Sequence, residues 1–332
     1  MIKHLMGAAL LCLGAGPAFA QASAAAAPDT PLKVIVFDGG WNLPIWAAQR
    51  QGFFKQNKLA VELIYTPNSV QLVTGLLKGN YDLALAGIDN VIAYQEGQGE
   101  VPVQSPDLFA FLGGDNGLLS VVSAPAIKSA QDLKGKSLSV DAMTTGFAFV
   151  LRDYVGRSGL AEGDVSYTRA GSTANRYKGL VEGKTDATLL RTPFDLVARE
   201  KGFNVLAEGK ALGDFQGTVG VATRRWAEKN EDALVRFIRA YRSGLDWIHV
   251  DANRPIAEAL LVANTSDMTP ELAKAALPQL IGGGLTRDAT INLRGIGNVL
   301  ALRSRFGTPQ KSLTDPTKYV DTRYLEKAST LP

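Results

Sequence analysis

Short apolar runs alternate with stretches of helical apolar spacing along the first two thirds of this sequence. The run LKVIVF at 32–37 predicts a strand, and 44–54 predicts a helix. Strands at 61–65 and 82–86 then alternate with helices at 69–78 and 88–96, and a further strand at 108–112 follows. A second series repeats the rhythm. Its strands are expected at 118–123, 137–140, 165–168, 187–190 and 204–206, and its helices at 146–158, 174–182 and 194–201. Such alternation implies an α/β fold with mainly parallel sheets covered by helices on both faces. One more strand is expected at 218–222. Beyond it the pattern turns helical, at 225–250, 256–262, 270–278 and 289–306. The last stretch, from Leu313, carries Tyr319 and Tyr324 and is expected to dock on the surface.

One pattern is written twice. GLLKGNYDLALAG at 75–87 and GLVEGKTDATLLR at 179–191 each read as a helix end, a glycine stop, an aspartate and a buried strand. The copies stand too far apart for a solenoid repeat, so they imply two similar lobes. The chain is expected to cross between them near 113–119 and again near 209–217. Lobe 1 would hold 32–115 and the mostly helical 215–332, and lobe 2 would hold 116–214. Two crossings make a hinge, and a hinge makes a cleft that can close.

Composition changes little in this picture. The 332 residues suffice for two lobes, and 46% hydrophobic with 20% charged residues is ordinary for a globular chain. The net charge of +3 is scattered, without the basic face that a nucleic acid needs. The N-terminus does change the picture. One lysine, a short apolar core, a Gly/Pro break and Ala18-Phe19-Ala20 read as a secretory signal, cut after Ala20. An Ala-rich leader at 21–31 follows. Cleavage would remove Cys12 and His4 and leave His249 as the sole histidine. That excludes Cys–His catalysis and a Cys/His zinc site, and no cofactor or metal is expected.

Three stretches carry a family resemblance. SAQDLKGKSLSVDAMTTGFAFVLRDYV at 129–155, AGSTANRYKGLVEGKTDATLLRTPFDLVA at 170–198 and WNLPIWAAQRQGFFKQNKLAVELI at 41–64 resemble periplasmic solute-binding proteins of bacterial ABC importers. The similar group is the nitrate/sulfonate/taurine type, which includes binders of thiamine pyrimidine precursors. The resemblance implies a two-lobed, type II-like periplasmic-binding-protein fold, with the helical C-terminal segment on the first lobe. It also implies a small-molecule ligand and a membrane permease as partners, and a periplasmic, monomeric protein. The chain departs from the family where a charged Arg191 precedes Thr192-Pro193-Phe194.

Ligands of open α/β sheets bind outside the carboxyl ends of the strands. That rule selects the loops at 38–43, 87–90, 141–147 and 191–194, and helix starts with free N–H groups add anion sites at 68–69 and 172–173. Trp41 either stacks on a planar ligand or caps the core, with Asn42 and Leu43 beside it. Asp38 and Asp89 either bind an amine or hydroxyl or cap helices, and Gly87 and Ile88 share the second loop. Thr144, Thr145 and Ser172 read as helix caps that can also face a ligand, Ser69 belongs to the helix start at 68–69, and Phe147 reads as an aromatic wall. Arg191 either clamps an anion or pairs with Asp195 on the surface. Arg176 reads as a solvated helix-face residue, and Gln216 could reach the cleft from the second crossing.

Three functions follow. The first is capture of a small organic, anionic molecule (a sulfonate, carboxylate or aromatic acid) for an ABC permease. The second is an enzyme of the same fold acting on a pyrimidine-like precursor, with Asp38 and Asp89 as an acid/base pair. The third is an extracytoplasmic sensor subunit. The absence of an activated nucleophile sets the enzyme behind the binder.

Overall fold

The computed structural model describes residues 29–330. The expected signal sequence, its cleavage site after Ala20 and residues 21–28 of the expected leader lie outside the described residues, and Thr30 and Pro31, expected in the leader, belong to the first strand. The first series of strands is β1 (Thr30–Val36), β2 (Leu59–Tyr65), β3 (Leu83–Gly87) and β4 (Leu108–Gly113). The second is β5 (Leu119–Ser123), β6 (Ser137–Val140), β7 (Ser166–Arg169), β8 (Ala187–Arg191) and β9 (Asn204–Glu208), and β10 (Thr218–Thr223) follows.

These strands form two five-stranded sheets, ordered β2-β1-β3-β10-β4 and β7-β6-β8-β5-β9. In the first, β1 is parallel to β2 and β3, and β10 runs antiparallel between β3 and β4. In the second, β6 is parallel to β7 and β8, and β5 runs antiparallel between β8 and β9. The two orders are the same. In each sheet the antiparallel strand is the one that arrives directly from the other lobe: β5 follows β4, and β10 follows β9.

The duplicated sequence pattern has a duplicated job. Gly79 and Gly183 take left-handed backbone, with φ of 76° and 69°, and stop their helices. The aspartate three residues on then ties the incoming strand to its neighbour. Asp82 Oδ2 accepts the Lys33 N–H and Asp186 Oδ2 accepts the Ser137 N–H, both at 2.8 Å. The sequence is repeated because the strand junction is repeated.

Helices cover both sheets. The first lobe carries α1 (Leu43–Arg50), α2 (Phe53–Gln56), α3 (Ser69–Leu77) and α4 (Ile88–Gln95). The second carries α5 (Gly146–Arg157), α6 (Thr173–Val181) and α7 (Phe194–Glu200). The C-terminal segment adds α8 (Arg224–Lys229), α9 (Glu231–Ile248), α10 (Arg254–Asn264), α11 (Pro270–Gln279), α12 (Leu293–Phe306) and α13 (Arg323–Thr330). Its longest helix, α9, buries one face, including Phe237, Ile238, Tyr241 and Leu245, against α1 and α2. Gly244 lets the two backbones meet, since a Cβ there would lie 2.2 Å from the Pro44 carbonyl oxygen. The last stretch docks as expected: Tyr319 is buried, and its hydroxyl donates to Glu96 at 2.9 Å.

Three helices differ from the sequence reading. The helix expected at 44–54 breaks at Gly52, whose φ is 73°. The one expected at 225–250 is two helices, because Asn230 leaves helical geometry at φ −128°. The one expected at 289–306 starts only at Leu293. Asn292 caps it by accepting the Gly295 N–H at 2.9 Å, and Ala289 has a φ of 60°. In each case a local backbone or capping choice overrode a continuous apolar pattern.

Candidate functional site

The lobes face each other across a cleft at the carboxyl ends of β1, β3, β6 and β8. Its empty space is about 470 Å³ counting the mouth. Phe37, Trp41 and Phe147 provide aromatic wall. The polar lining comes from Asp89 and Asn90 at the start of α4, Asp141 after β6, Thr145 before α5, and Ser172, Thr173 and Arg176 around the start of α6. Arg191 lines it from the end of β8.

Of the residues selected from the sequence, Trp41, Gly87, Asp89, Thr145, Phe147, Ser172 and Arg191 line this space. The others lie outside its lining. Leu43 and Ile88 are core residues with no exposed surface. Asn42 is buried and donates from Nδ2 to the Phe37 carbonyl at 2.6 Å. The Ser69 N–H donates to Asp141 Oδ2 at 3.2 Å, across the lobes. Thr144 donates to Glu100 at 2.9 Å, also across the lobes. Gln216 is buried at the second crossing, where it donates to the carbonyls of Asp115 and Thr218 and accepts the Asn292 N–H. Two of the three caps read from sequence are present, at Thr145 and Ser172, whereas Thr144 caps no helix. Thr145 Oγ1 accepts the Ala148 N–H and Ser172 Oγ accepts the Asn175 N–H.

Asp89 bolts the lobes together. Its Oδ2 accepts the Gly146 N–H at 2.6 Å, at the start of α5 in the opposite lobe. Its Oδ1 is ion-paired with Arg303 of α12, which is fully buried. Arg303 also donates to the Thr144 carbonyl at 3.1 Å, and to Gln98 Oε1 and the Gln98 carbonyl. Gly146 admits this contact because it lacks a side chain: a Cβ would lie 2.5 Å from Asp89 Cγ. Asp89 therefore stands in the first turn of α4, but its carboxylate meets the N-terminus of α5 instead of capping its own helix.

The surface pair of Arg191 with Asp195 is corrected. Both residues are 3% exposed. Asp195 accepts from Ser120 Oγ at 2.7 Å, Thr192 Oγ1 at 3.4 Å and the Leu196 N–H at 2.9 Å. Arg191 instead turns to the first crossing. Nε donates to the Gly117 carbonyl at 2.9 Å and Nη1 to Thr218 Oγ1 at 3.3 Å. Nη2 lies 2.6 Å from Asp115 Oδ2, as a charge contact off hydrogen-bond alignment. Asp115 is fully buried and also accepts the N–H groups of Gly117 and Thr218. The guanidinium lies 3.8 Å from the centre of the Trp41 ring, so Trp41 stacks on protein.

Arg176 is the residue that the sequence reading misplaced. It is 2% exposed, not solvated. Nη2 donates to Thr173 Oγ1 at 2.9 Å, while Nε and Nη1 are buried with no hydrogen-bond partner among the described residues. Burial pulls its pKa down to about 10, which leaves it charged at neutral pH. A buried, charged donor left unmatched at a cleft wall is costly unless something else accepts from it. The sequence signal for it was weak: Arg176 is the fourth residue of α6, and nothing in the apolar pattern sets it apart from a solvated helix-face residue.

Asp38 stands half-buried after β1, outside the lining. Burial pushes its carboxyl up from 3.8 to about 6. The folded protein thus holds this proton more tightly than the unfolded chain does. The associated stability is full below the unfolded value and is lost as pH rises through about 6. Asp38→Asn is expected to be more stable than the parent at pH 8, with the gap closing toward pH 4. Thermal melts across that range check it; a constant gap would rule out titration of Asp38 as the cause.

Residues 42–254 match the NMT1/THI5-like family. The chain belongs to that family. Among curated proteins, the putative binding protein YtlA of Bacillus subtilis strain 168 is 26% identical over 223 residues, which span 65% of this chain and 65% of that protein. A solved structure from Bordetella bronchiseptica RB50 has a TM-score of 0.76 at 20% identity, covering 91% of this chain and 97% of that one. The alkanesulfonate-binding protein SsuA of Xanthomonas axonopodis pv. citri, solved with MOPS bound, has a TM-score of 0.70 at 18% identity. It covers 89% of this chain and 99% of that one. This NMT1/THI5-like chain thus has the two-lobed periplasmic-binding-protein fold read from its sequence.

Proposed function

We propose that this protein is the extracytoplasmic solute-binding component of an ABC-type importer and takes a small organic anion into the cleft. Family membership and the named binding proteins among its relatives support the coarse reading. One observation carries the anion: the buried guanidinium of Arg176, with two nitrogens unmatched among the described residues, at the wall of an aromatic-sided cleft. Phe37, Trp41 and Phe147 suit an organic body, and the start of α6 adds its own N–H groups and dipole. In this reading the signal sequence exports the chain to the periplasm, the crossings act as a hinge, and a membrane permease receives the ligand. The enzyme alternative has less to stand on. Asp89 is held by Arg303 and Gly146, Asp38 is outside the lining, and His249 sits at the C-terminus of α9 against the Leu245 carbonyl.

The test is Arg176→Ala, titrated calorimetrically with the acids that raise the parent's melting temperature in a screen of sulfonates and carboxylates. Hydrogen bonds to charged groups contribute about 1.5–3 kcal/mol, so affinity should fall about ten- to hundredfold. Stability should hold or rise, because the variant no longer buries an unmatched charge. A folded variant that binds as tightly as the parent would overturn the anion reading.

A further inference from the structure

We propose that Asp141 is a specificity-determining residue, and that the ligand carries a hydrogen-bond donor, an amine or hydroxyl, close to its anionic group. This rests on the acid-binding reading above. Asp141 and Arg176 both line the cleft from the second lobe, one after β6 and the other in the first turn of α6. Each is only partly used by the protein. Asp141 Oδ2 accepts the Ser69 N–H at 3.2 Å, but Oδ1 is buried with no hydrogen-bond partner among the described residues. Arg176 has Nε and Nη1 in the same condition. The cleft therefore holds an unmatched acceptor as well as unmatched donors.

The other charges that line the cleft are already neutralised within the protein, Asp89 by Arg303 and Arg191 by Asp115. What is left over is one negative and one positive group. A simple anion would satisfy Arg176 but leave Asp141 Oδ1 without a donor and add a second negative charge to the same cleft. A donor beside the anion answers both groups. Burial raises the Asp141 carboxyl above its ordinary value, and the Ser69 hydrogen bond and the Arg176 charge draw it part of the way back. A hydroxyl would accept this arrangement and a protonated amine would accept it better, since the bond is then charge-assisted at both ends.

The experiment uses the full mature chain and a thermal-shift screen of small acids in matched sets. Each set holds one carbon skeleton as the plain acid, the hydroxy acid and the amino acid; phenylacetate, mandelate and phenylglycine form one such set. Hits are then titrated calorimetrically. The amino or hydroxy member is expected to bind about ten- to hundredfold tighter than its plain partner. Asp141→Asn keeps the side chain's shape and should bring the ratio within about threefold while leaving the plain acid's affinity unchanged. Arg176→Gln should weaken every member of a set alike. Plain acids binding as well as their substituted partners would overturn the donor inference and leave the acid reading standing. A parent-like ratio in a folded Asp141→Asn protein would overturn it too. If only neutral compounds bind, or no member of any set does, both readings fall.

Discussion

Arg303→Ala is expected to destabilise the protein by about 3–5 kcal/mol, the usual cost of removing one member of a buried ion pair. The side chain has no exposed surface, and Asp89 is 4% exposed. Without the guanidinium, Asp89 keeps only the Gly146 N–H at 2.6 Å to offset its charge. The carbonyls of Thr144 and Gln98 lose their donor at the same time. Urea denaturation should show the loss as a lower midpoint at unchanged slope. The double variant Arg303→Ala/Asp89→Ala should recover part of it, because no unpaired charge remains, and the coupling between the two sites then follows from the cycle. A single variant within about 1 kcal/mol of the parent would mean that water reaches the pair and that the bolt is weak.

A loss of the same size, about 3–5 kcal/mol, is expected for Arg191→Ala. Asp115 is fully buried, and Arg191 is the cation that faces it. The same change uncovers one face of Trp41 and leaves the Gly117 carbonyl without its donor. Arg191→Lys retains the charge but cannot reach Gly117, Thr218 and Asp115 at once, so it should fall between the two. If Arg191→Ala instead folds like the parent and binds an identified ligand at least tenfold more weakly, the guanidinium serves the ligand rather than the crossing.

The architecture was legible because it is written in apolar periodicity and in glycine stops. GLLKGNYD and GLVEGKTD announced two lobes, and the structure shows the same Gly and Asp repeating the same strand junction. The cleft loops were legible from the carboxyl-end rule alone. Side-chain commitments were not. Arg191 and Arg176 are each an arginine near a strand end or helix start in an otherwise amphipathic context. Which one is neutralised depends on Asp115, which lies far from Arg191 in sequence and meets it only through the pairing of β5 with β8. The same holds for Asp89. Its position predicted a helix start correctly but could not show that Arg303, on a distant helix, would claim it.

The strand order also sets an order of folding. The second sheet is made from one continuous stretch, Leu119 to Glu208, so every pairing in it can form within that stretch. The first sheet cannot finish until Thr218 pairs with Gly87, a contact that closes a loop containing the whole of the other lobe. Closing so long a loop costs entropy, which compact structure within the loop reduces by shortening its effective length. The intervening lobe is thus expected to form before the β3–β10 pairing, and until then β3 has an open edge where β10 will lie. A nascent or translocating chain would pass through that half-finished sheet, and this is where a holding chaperone would find exposed strand edge.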